Sequence, residues 1–389
     1  MQYGRAIRSQ WLLDDDIIFV NHGSFGACPK EVLGVQRQWR DQLETEPVRF
    51  ILKELPGHLD AVRQMLANFL GAKAEDLAFT QNATDGANAV IRSLLPHFKA
   101  GDELLTTTHA YRAIRQTMKY VGDLSGATIV DAVVPFPIAD EDEVVEAIKK
   151  AITPKTAFAM IDHITSPTGV VFPLEKIIPL FKERGIPVLI DGAHGPGMID
   201  LNIEALGADF YIGNCHKWLY TPKGSAFLWV DKKYQDKIHP TLISHFLGSG
   251  FHAEFGWTGT LDPTAWLSIP AGIEFLSKLN FEQGREYTKK LMLDFRTSAS
   301  NLFGTPIGTP DSMIANLATI PLPGNPDLKE DSILKLHDTL FNEFKIEAPG
   351  MTTNGKLYLR ASAAIYNEAS EYAALIEALK ELESRGMFR

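Results

Sequence analysis

Apolar and polar positions along this chain change period in a regular way. Leu59, Val62, Leu66, Phe69 and Leu70 recur at helical spacing and stop at Gly71, which predicts a helix closed by a glycine. The run DLAFT (76–80) reads as a strand, and a new helix is predicted from about Ala83. Short apolar runs rich in β-branched and aromatic residues predict further strands at ELLTTT, ATIVDAVVP, TAFAMIDHI, PVLIDGA and DFYIG. Helical patterns such as EDEVVEAIKKAI and LEKIIPLFKERG lie between them. Strand and helix thus alternate from about Asp76 to Val230, the rhythm of an α/β sheet covered on both faces. After about Leu279 strands become fewer and helices longer, ending with Tyr372, Leu375, Ile376, Leu379 and Leu382 on one face before Gly386. This tail predicts a smaller α+β C-terminal domain. With no repeat, low-complexity tract or flexible linker between them, the two parts are expected to pack closely.

Composition narrows the class. A chain of 389 residues with 45% hydrophobic content has enough apolar surface for one large and one smaller domain. The formal net charge of −10, with no basic stripe, argues against nucleic-acid and acidic-membrane partners, which select for excess Lys and Arg. The opening MQYGRAIRSQWLLDDDIIFV has no apolar stretch of signal-peptide length, and no run is long enough to span a bilayer. A cytoplasmic protein is expected. The two cysteines, Cys28 and Cys215, lie far apart without metal-ligand spacing, so reduced thiols are expected and neither a disulfide framework nor a metal site.

The candidate chemistry concentrates in DGAHGPGMIDLNIEALGADFYIGNCHK, from Asp191 to Lys217. PVLI reads as a buried strand delivering Asp191 at its C-terminal end, and DFYIG as another delivering His216 and Lys217. In an open parallel sheet such strand ends form the ligand crevice. These are groups that a pyridoxal phosphate site needs. A lysine amine can hold the cofactor aldehyde as a Schiff base, and a buried carboxylate keeps the pyridine nitrogen protonated so that the ring accepts electrons. Singly, an Asp after a strand is ordinarily a turn residue and a Lys a solvated charge; spacing and surroundings raise these two above that. Asn82-Ala83-Thr84 stands between a strand and a helix, where backbone N–H groups face an anion or a side chain merely caps the helix. Arg360, in KLYLRASAAIYN, has a fork suited to a carboxylate, against the ordinary alternative of a surface salt bridge.

The Asp-Gly-Ala-His segment and the Gly-Asn-x-His-Lys-Trp segment, here Gly213 to Trp218, carry a resemblance. The sequence resembles the class V aminotransferase-like branch of the fold type I pyridoxal phosphate enzymes, and within it the isopenicillin N epimerase-like group. The likeness runs from Asn21-His22-Gly23 through Arg360 to Asn367. It implies a mostly parallel seven-stranded sheet with a smaller α+β C-terminal domain. It divides the chain into a segment lining the active site (1–25), a large cofactor-binding α/β domain (26–280) and a small domain (281–389). It further implies Lys217 as the cofactor lysine, Asp191 at the pyridine nitrogen and His194 near the phenolic oxygen. Asn82, Ala83, Thr84 and His216 are then expected at the phosphate, with Tyr111 stacked on the ring. Ser166 stands where related enzymes often carry Asn, which puts its contact with the phenolic oxygen in question. Thr260 in GWTGTLDP is expected to reach the phosphate of the neighbouring subunit, making a homodimer with shared active sites. Asn21, His22 and Arg49 are expected around the substrate, with Arg360 on its α-carboxylate. Lys223 is expected to be a surface or phosphate-neighbouring charge.

The resemblance leaves the reaction open beyond its first step. An amino acid displaces Lys217, and the freed amine takes the Cα proton. Loss of a β-sulfur substituent then gives a carbon–sulfur lyase, return of the proton on the opposite face an epimerase, and protonation of the cofactor an aminotransferase. The lyase, acting on a cysteine-derived substrate, is the leading expectation, because Tyr111 is expected to cover the face where an epimerase needs a second acid. A desulfurase is disfavoured, since neither cysteine lies in the C-terminal part where that activity keeps its nucleophile. A non-catalytic cofactor-binding protein is the remote alternative.

Overall fold

The computed structural model describes residues 2–324, 326 and 331–388. Its main sheet comprises β1 (Leu77–Thr80), β2 (Glu103–Thr107), β3 (Thr128–Ala132), β4 (Thr156–Asp162), β5 (Val188–Asp191), β6 (Phe210–Asn214) and β7 (Ala226–Val230). They lie in the order β1-β7-β6-β5-β4-β2-β3. β7 runs antiparallel to both its neighbours and every other pairing is parallel, so the sheet is mostly parallel and seven-stranded as expected. Two antiparallel steps restore the original direction, so β1 points the same way as β6. The C-terminal ends of β1, β2, β4, β5 and β6 therefore open on one edge of the sheet, and the loops leaving that edge carry the polar residues singled out above.

The local reasons are ordinary ones. β5, β6 and β7 are buried on both faces, and alternate residues feed two apolar layers: Tyr211 and Phe227 on one side, Ile212 and Leu228 on the other. The helix Leu55–Leu70 turns Leu59, Val62, Leu66 and Leu70 inward and ends at Gly71 in the left-handed conformation. The helix Glu141–Ala151 begins where the Asp140 side chain accepts the Glu143 N–H, and it places acids in its first turn and lysines in its last. Among the described residues no helix is long and apolar enough to cross a membrane.

A second, antiparallel sheet joins β8 (Leu317–Pro321), β9 (Gly350–Thr353) and β10 (Lys356–Ser362), with β10 in the middle. It shares an apolar cluster with the long helix Phe281–Phe303 and the helix Ala369–Ser384, which starts with a capping box of Glu368 and Glu371. The N-terminal segment joins this cluster too: Ile18–Phe19 pairs in parallel with Ile346–Glu347, and Val20 is buried there. Residues 21–29 thus leave the small sheet and run to the open edge of the large one.

One helix sets the depth of that edge. Ala83–Ser93 packs against β6 and β7 at Gly86, where a Cβ would lie 2.8 Å from Ile212 Cγ2. A Gly86→Val substitution should lift the helix from the sheet and cost ~1–3 kcal/mol of stability. Denaturant unfolding checks this; an unchanged midpoint would mean the contact is slack.

Candidate active site

At the open edge lies a cavity of about 500 Å³, walled by the loops after β1, β2, β4, β5 and β6 together with Ser24 and Phe25 of the N-terminal segment. Asn82, Ala83, Thr84, Tyr111, Ser166, Asp191, His194, His216 and Lys217 all line it. Nine of the residues singled out from the sequence therefore share one chamber, having been delivered by five separate strands.

Lys217 is held from two directions. Behind it, His22 is fully buried: its Nε2–H donates to the Lys217 carbonyl at 2.9 Å, and its Nδ1 accepts from the Tyr366 hydroxyl at 2.8 Å and the Ala27 N–H at 3.3 Å. In front, Lys217 Nζ lies 3.1 Å from His194 Nε2, while the Trp218 indole N–H donates to His194 Nδ1 at 3.2 Å. An indole nitrogen can only donate, so His194 Nδ1 is an acceptor. Burial, and then the charge of Lys217, holds the His194 ring well below its ordinary pKa, so it is neutral and carries its proton on Nε2. That proton faces the lysine amine, which can accept it only when uncharged. Burial first and the Arg360 charge second lower the Lys217 pKa to about 7, with Asp191 acting in the opposite direction. The sequence spacing Asp191, His194, Lys217 thus becomes one electrostatic unit.

The mouth of the helix Ala83–Ser93 forms another wall. Asn82 caps the helix by accepting the Asp85 N–H at 2.9 Å, and Asn214, at the end of β6, accepts the Ala83 N–H at 2.8 Å. Thr84, next in this first turn, lines the cavity with an N–H and a hydroxyl suited to an anion. His216 Nδ1 donates to the Ser225 carbonyl at 3.1 Å, and burial lowers its pKa to about 4, so Nε2 is a lone pair until an anion draws a proton to it. Lys223 also lines the cavity and donates to the Gly26 carbonyl at 2.8 Å.

Arg360 does not itself line the cavity but supplies a positive charge just behind Ser24 and Ser166, which do. It is 1% exposed, and its partners are all neutral oxygens: the carbonyl of Ser166 at 2.5 Å, the hydroxyls of Ser166 and Ser24 at 3.3 and 3.0 Å, and Asn21 Oδ1 at 3.5 Å. Among the described residues no carboxylate pairs with it. Burial lowers its pKa to about 10. A buried guanidinium satisfied by hydrogen bonds yet lacking a counter-ion is a site for an anionic ligand. Ser166, where Asn was the usual residue, helps hold this arginine.

Four expected residues stand elsewhere. His22 does not line the cavity, because both its ring nitrogens are spent holding the backbone around Lys217. Asn21 lies beneath Arg360 and donates to Glu347 at 2.8 Å, so it orients the arginine from behind. Arg49 points to solvent, 2.9 Å from Glu54, and does not reach the cavity of its own chain. Thr260 is exposed and likewise outside it. Ser24, Phe25, Asp162 and Asn214 were missed. Asp162 had a readable signal, since it ends the apolar strand TAFAMID just as Asp191 ends VLID. Ser24 and Asn214 had none, because their roles depend on partners more than a hundred residues away.

The chamber suits pyridoxal phosphate on chemical grounds: a helix mouth for a phosphate, an uncharged amine for an aldehyde, a buried carboxyl for a ring nitrogen and an uncompensated cation for a carboxylate. Comparison with known proteins agrees. A model of the aminotransferase class-V family matches residues 49–324. The chain is 32% identical to the isopenicillin N epimerase of Amycolatopsis lactamdurans, over 96% of this chain and 97% of that one. It is 29% identical to a probable chloroplastic L-cysteine desulfhydrase of Arabidopsis thaliana, over 96% of this chain and 84% of that one. Its fold matches that of a cysteine desulfurase from Thermococcus onnurineus NA1 with a TM-score of 0.79 at 19% identity, covering 99% of each chain.

An amine with a pKa of about 7 is half neutral where ordinary lysines are about a thousandfold less so. Competitive trace acylation of the cofactor-free protein at neutral pH should therefore mark Lys217 far ahead of the other lysines, with reactivity rising through about pH 7. Reactivity that rises only near pH 10 would mean the amine is charged at rest.

Proposed function

The chain belongs to the aminotransferase class-V family, and from that premise we propose that it is a pyridoxal phosphate-dependent carbon–sulfur lyase acting on a cysteine-derived amino acid. The observation that carries the reading is the uncompensated Arg360, bonded to Ser24 and Ser166 of the cavity wall and near enough for its charge to help keep the Lys217 amine neutral. That pairing binds an α-carboxylate and leaves a base for the neighbouring Cα. When bound, the cofactor supplies an aldehyde that captures amines and a ring that stores the electron pair released at Cα.

The chain's own residues do the rest. The N–H and hydroxyl of Thr84 and a protonated His216 bind the phosphate. Asp191 would hold a proton on the ring nitrogen, and the Nε2–H of His194 would be free to donate to the phenolic oxygen. Arg360, seated on Ser24, Ser166 and Asn21, fixes the α-carboxylate and so the direction of the Cα–H bond. The Lys217 amine would take that proton, and the β-substituent would leave as a thiol, or as a sulfenic acid from a sulfoxide. Uptake of one water then leaves pyruvate and ammonia as the remaining products.

Two features favour elimination over the alternatives. Neither Cys28 nor Cys215 lines the cavity, so the thiol that a desulfurase needs to accept sulfur is missing from it. Tyr111 lines the wall that carries the stacking residue in this family, leaving little room there for the second acid of an epimerase. The epimerase reading is the second one, favoured by the 32% identity to an isopenicillin N epimerase. The name of the plant relative, an L-cysteine desulfhydrase, supports the first.

The active unit in this reading is a homodimer. Thr260 is exposed, and Leu242, Ile243, Phe246 and Leu247 form an exposed apolar stretch nearby in sequence, as expected of a loop that a second copy covers. The division into 1–25, 26–280 and 281–389 goes with it, supported by the separate small sheet and its apolar cluster. Two free, buried thiols suit a reducing cytoplasmic compartment.

The deciding assay supplies S-substituted L-cysteines, their sulfoxides, and L- and D-amino acids to the holoenzyme while following pyruvate, ammonia and chirality together. Pyruvate with ammonia from a sulfur-bearing substrate is the expected result; inversion without ammonia would replace the lyase by the epimerase. Replacement Arg360→Ala should keep the visible absorbance of the bound cofactor and reduce kcat/KM about 10- to 100-fold, the loss of a charged hydrogen-bonding partner. Loss of the cofactor itself would reassign Arg360 to structure.

A further inference from the structure

The cavity contains a second buried acid that the reaction above does not use. β4 and β5 run parallel, and Asp162 and Asp191 are register partners, each the last residue of its strand. Adjacent strands lie about 4.8 Å apart, so the two carboxyls leave the sheet edge side by side. They are 1% and 3% exposed, and both line the cavity. Asp191 Oδ1 accepts the Ala193 N–H at 3.0 Å, whereas Asp162 Oδ2 is buried with no hydrogen-bond partner. A buried carboxylate oxygen without a donor is costly, and two such carboxylates side by side are costlier still. A carboxylic acid beside a carboxylate removes both penalties, because its O–H donates where the bare oxygen had nothing to accept.

Resting on the proposed cofactor site, we propose that Asp162 and Asp191 form a carboxyl pair holding one proton between them, in which Asp162 is the positioning residue that carries it. The O–H of Asp162 donates to the Asp191 carboxylate. This fixes the orientation of Asp191 and spreads its charge, making it a weaker base that leaves the proton on the ring nitrogen. Burial raises the Asp162 pKa well above the ordinary range, and the charge of Asp191 raises it further. The backbone N–H groups of Asp162 and Tyr111 act the other way. Asp191 is the charged group that faces Asp162; Asp191 is itself faced by Lys217 and by Tyr211. The Tyr111 contact gives Asp162 a second effect, since it ties the loop carrying the expected stacking ring to the floor of the site.

The test needs no cofactor. An acid whose pKa is raised on folding binds more protons in the native state. It therefore lowers stability as pH climbs from its unfolded pKa of about 4 toward the folded value. The cofactor-free Asp162→Asn variant, which keeps a donor and cannot ionise, should escape this slope. Its Tm relative to the parent should rise by roughly 2 °C or more between pH 5 and 9. A Tm difference independent of pH would show an ordinary ionised aspartate and overturn the pair. Asp191→Asn should shrink the same slope in the parent, because it removes the neighbouring charge. If Asp162→Asn does not fold, infrared spectra of the parent protein decide: a protonated-carboxyl band persisting at neutral pH is expected, and its absence overturns the proposal. In the holoenzyme, the cofactor absorbance of the parent should shift at alkaline pH while that of Asp162→Asn stays flat. A protein that never takes up pyridoxal phosphate would sink the function reading yet leave the stability result standing.

Discussion

The site depends on keeping one lysine amine uncharged inside the protein. Lysine in water holds its proton past pH 10, and an ammonium ion can neither attack an aldehyde nor take a proton from carbon. Burial alone would lower that pKa, but a buried amine also needs something to accept. Here the need is met by His194, whose proton is fixed on Nε2 because the indole of Trp218 occupies Nδ1. The order of residues along β6 and its loop makes this possible: Lys217 and Trp218 are adjacent in the chain, so lysine and indole meet the same imidazole from its two ends. His22 completes the arrangement from behind by holding the Lys217 carbonyl. Gly26 lets the N-terminal segment come this close; its φ is +71°, and a Cβ there would lie 2.1 Å from the His216 carbonyl oxygen.

The remaining charges form an incomplete set. Among the described residues Arg360 is buried without a carboxylate and the Asp162–Asp191 pair without a cation bonded to its one negative charge, and the helix Ala83–Ser93 turns its N-terminus toward the cavity. Each is unfavourable in isolation. Together they describe a ligand by what is missing: an anion at the helix mouth, a cation over the acids and a carboxylate at the arginine. Folding therefore stores part of the cost of binding, and a ligand that supplies all three charges recovers it. The small sheet takes part through β10, whose central position holds Arg360 rigidly, while the N-terminal segment brings Ser24 and Asn21 to the guanidinium.

Much of this was legible in the chain because strand ends are local. An apolar run that stops at a polar residue reports both a buried strand and the side chain it delivers, and Asp191, Asn82 and Lys217 were all read that way. Asp162 obeys the same rule, ending the apolar strand Thr156–Asp162 just before Ser166. His22 and Asn21 were expected beside the substrate, and their side chains bond one layer behind the residues that line the cavity. A sequence shows that a residue belongs to a loop near the site; only long-range hydrogen bonds show which way it faces. Arg49 stands apart for a different reason, since an exposed arginine with an acid five residues on finds a partner locally. Ser24 and Asn214 could not be read at all, because their partners, Arg360 and Ala83, lie 336 and 131 residues away.

The same logic explains why relatives named for an epimerase and for a cysteine desulfhydrase align with this chain over nearly all of its length. Binding the cofactor, seating the carboxylate and removing the Cα proton use the same groups whichever product follows. Those groups sit on strand ends that the fold cannot move without losing the sheet. The branch point needs far less: a proton donor on the face away from Lys217, or a β-substituent able to leave. The first is decided by the side chain on that wall of the chamber, which in the proposed reading is Tyr111, 44% exposed at the cavity. The second is a property of the substrate. Selection can therefore change the reaction by altering one wall of the chamber while the floor, with its paired acids and its neutral lysine, stays as it is.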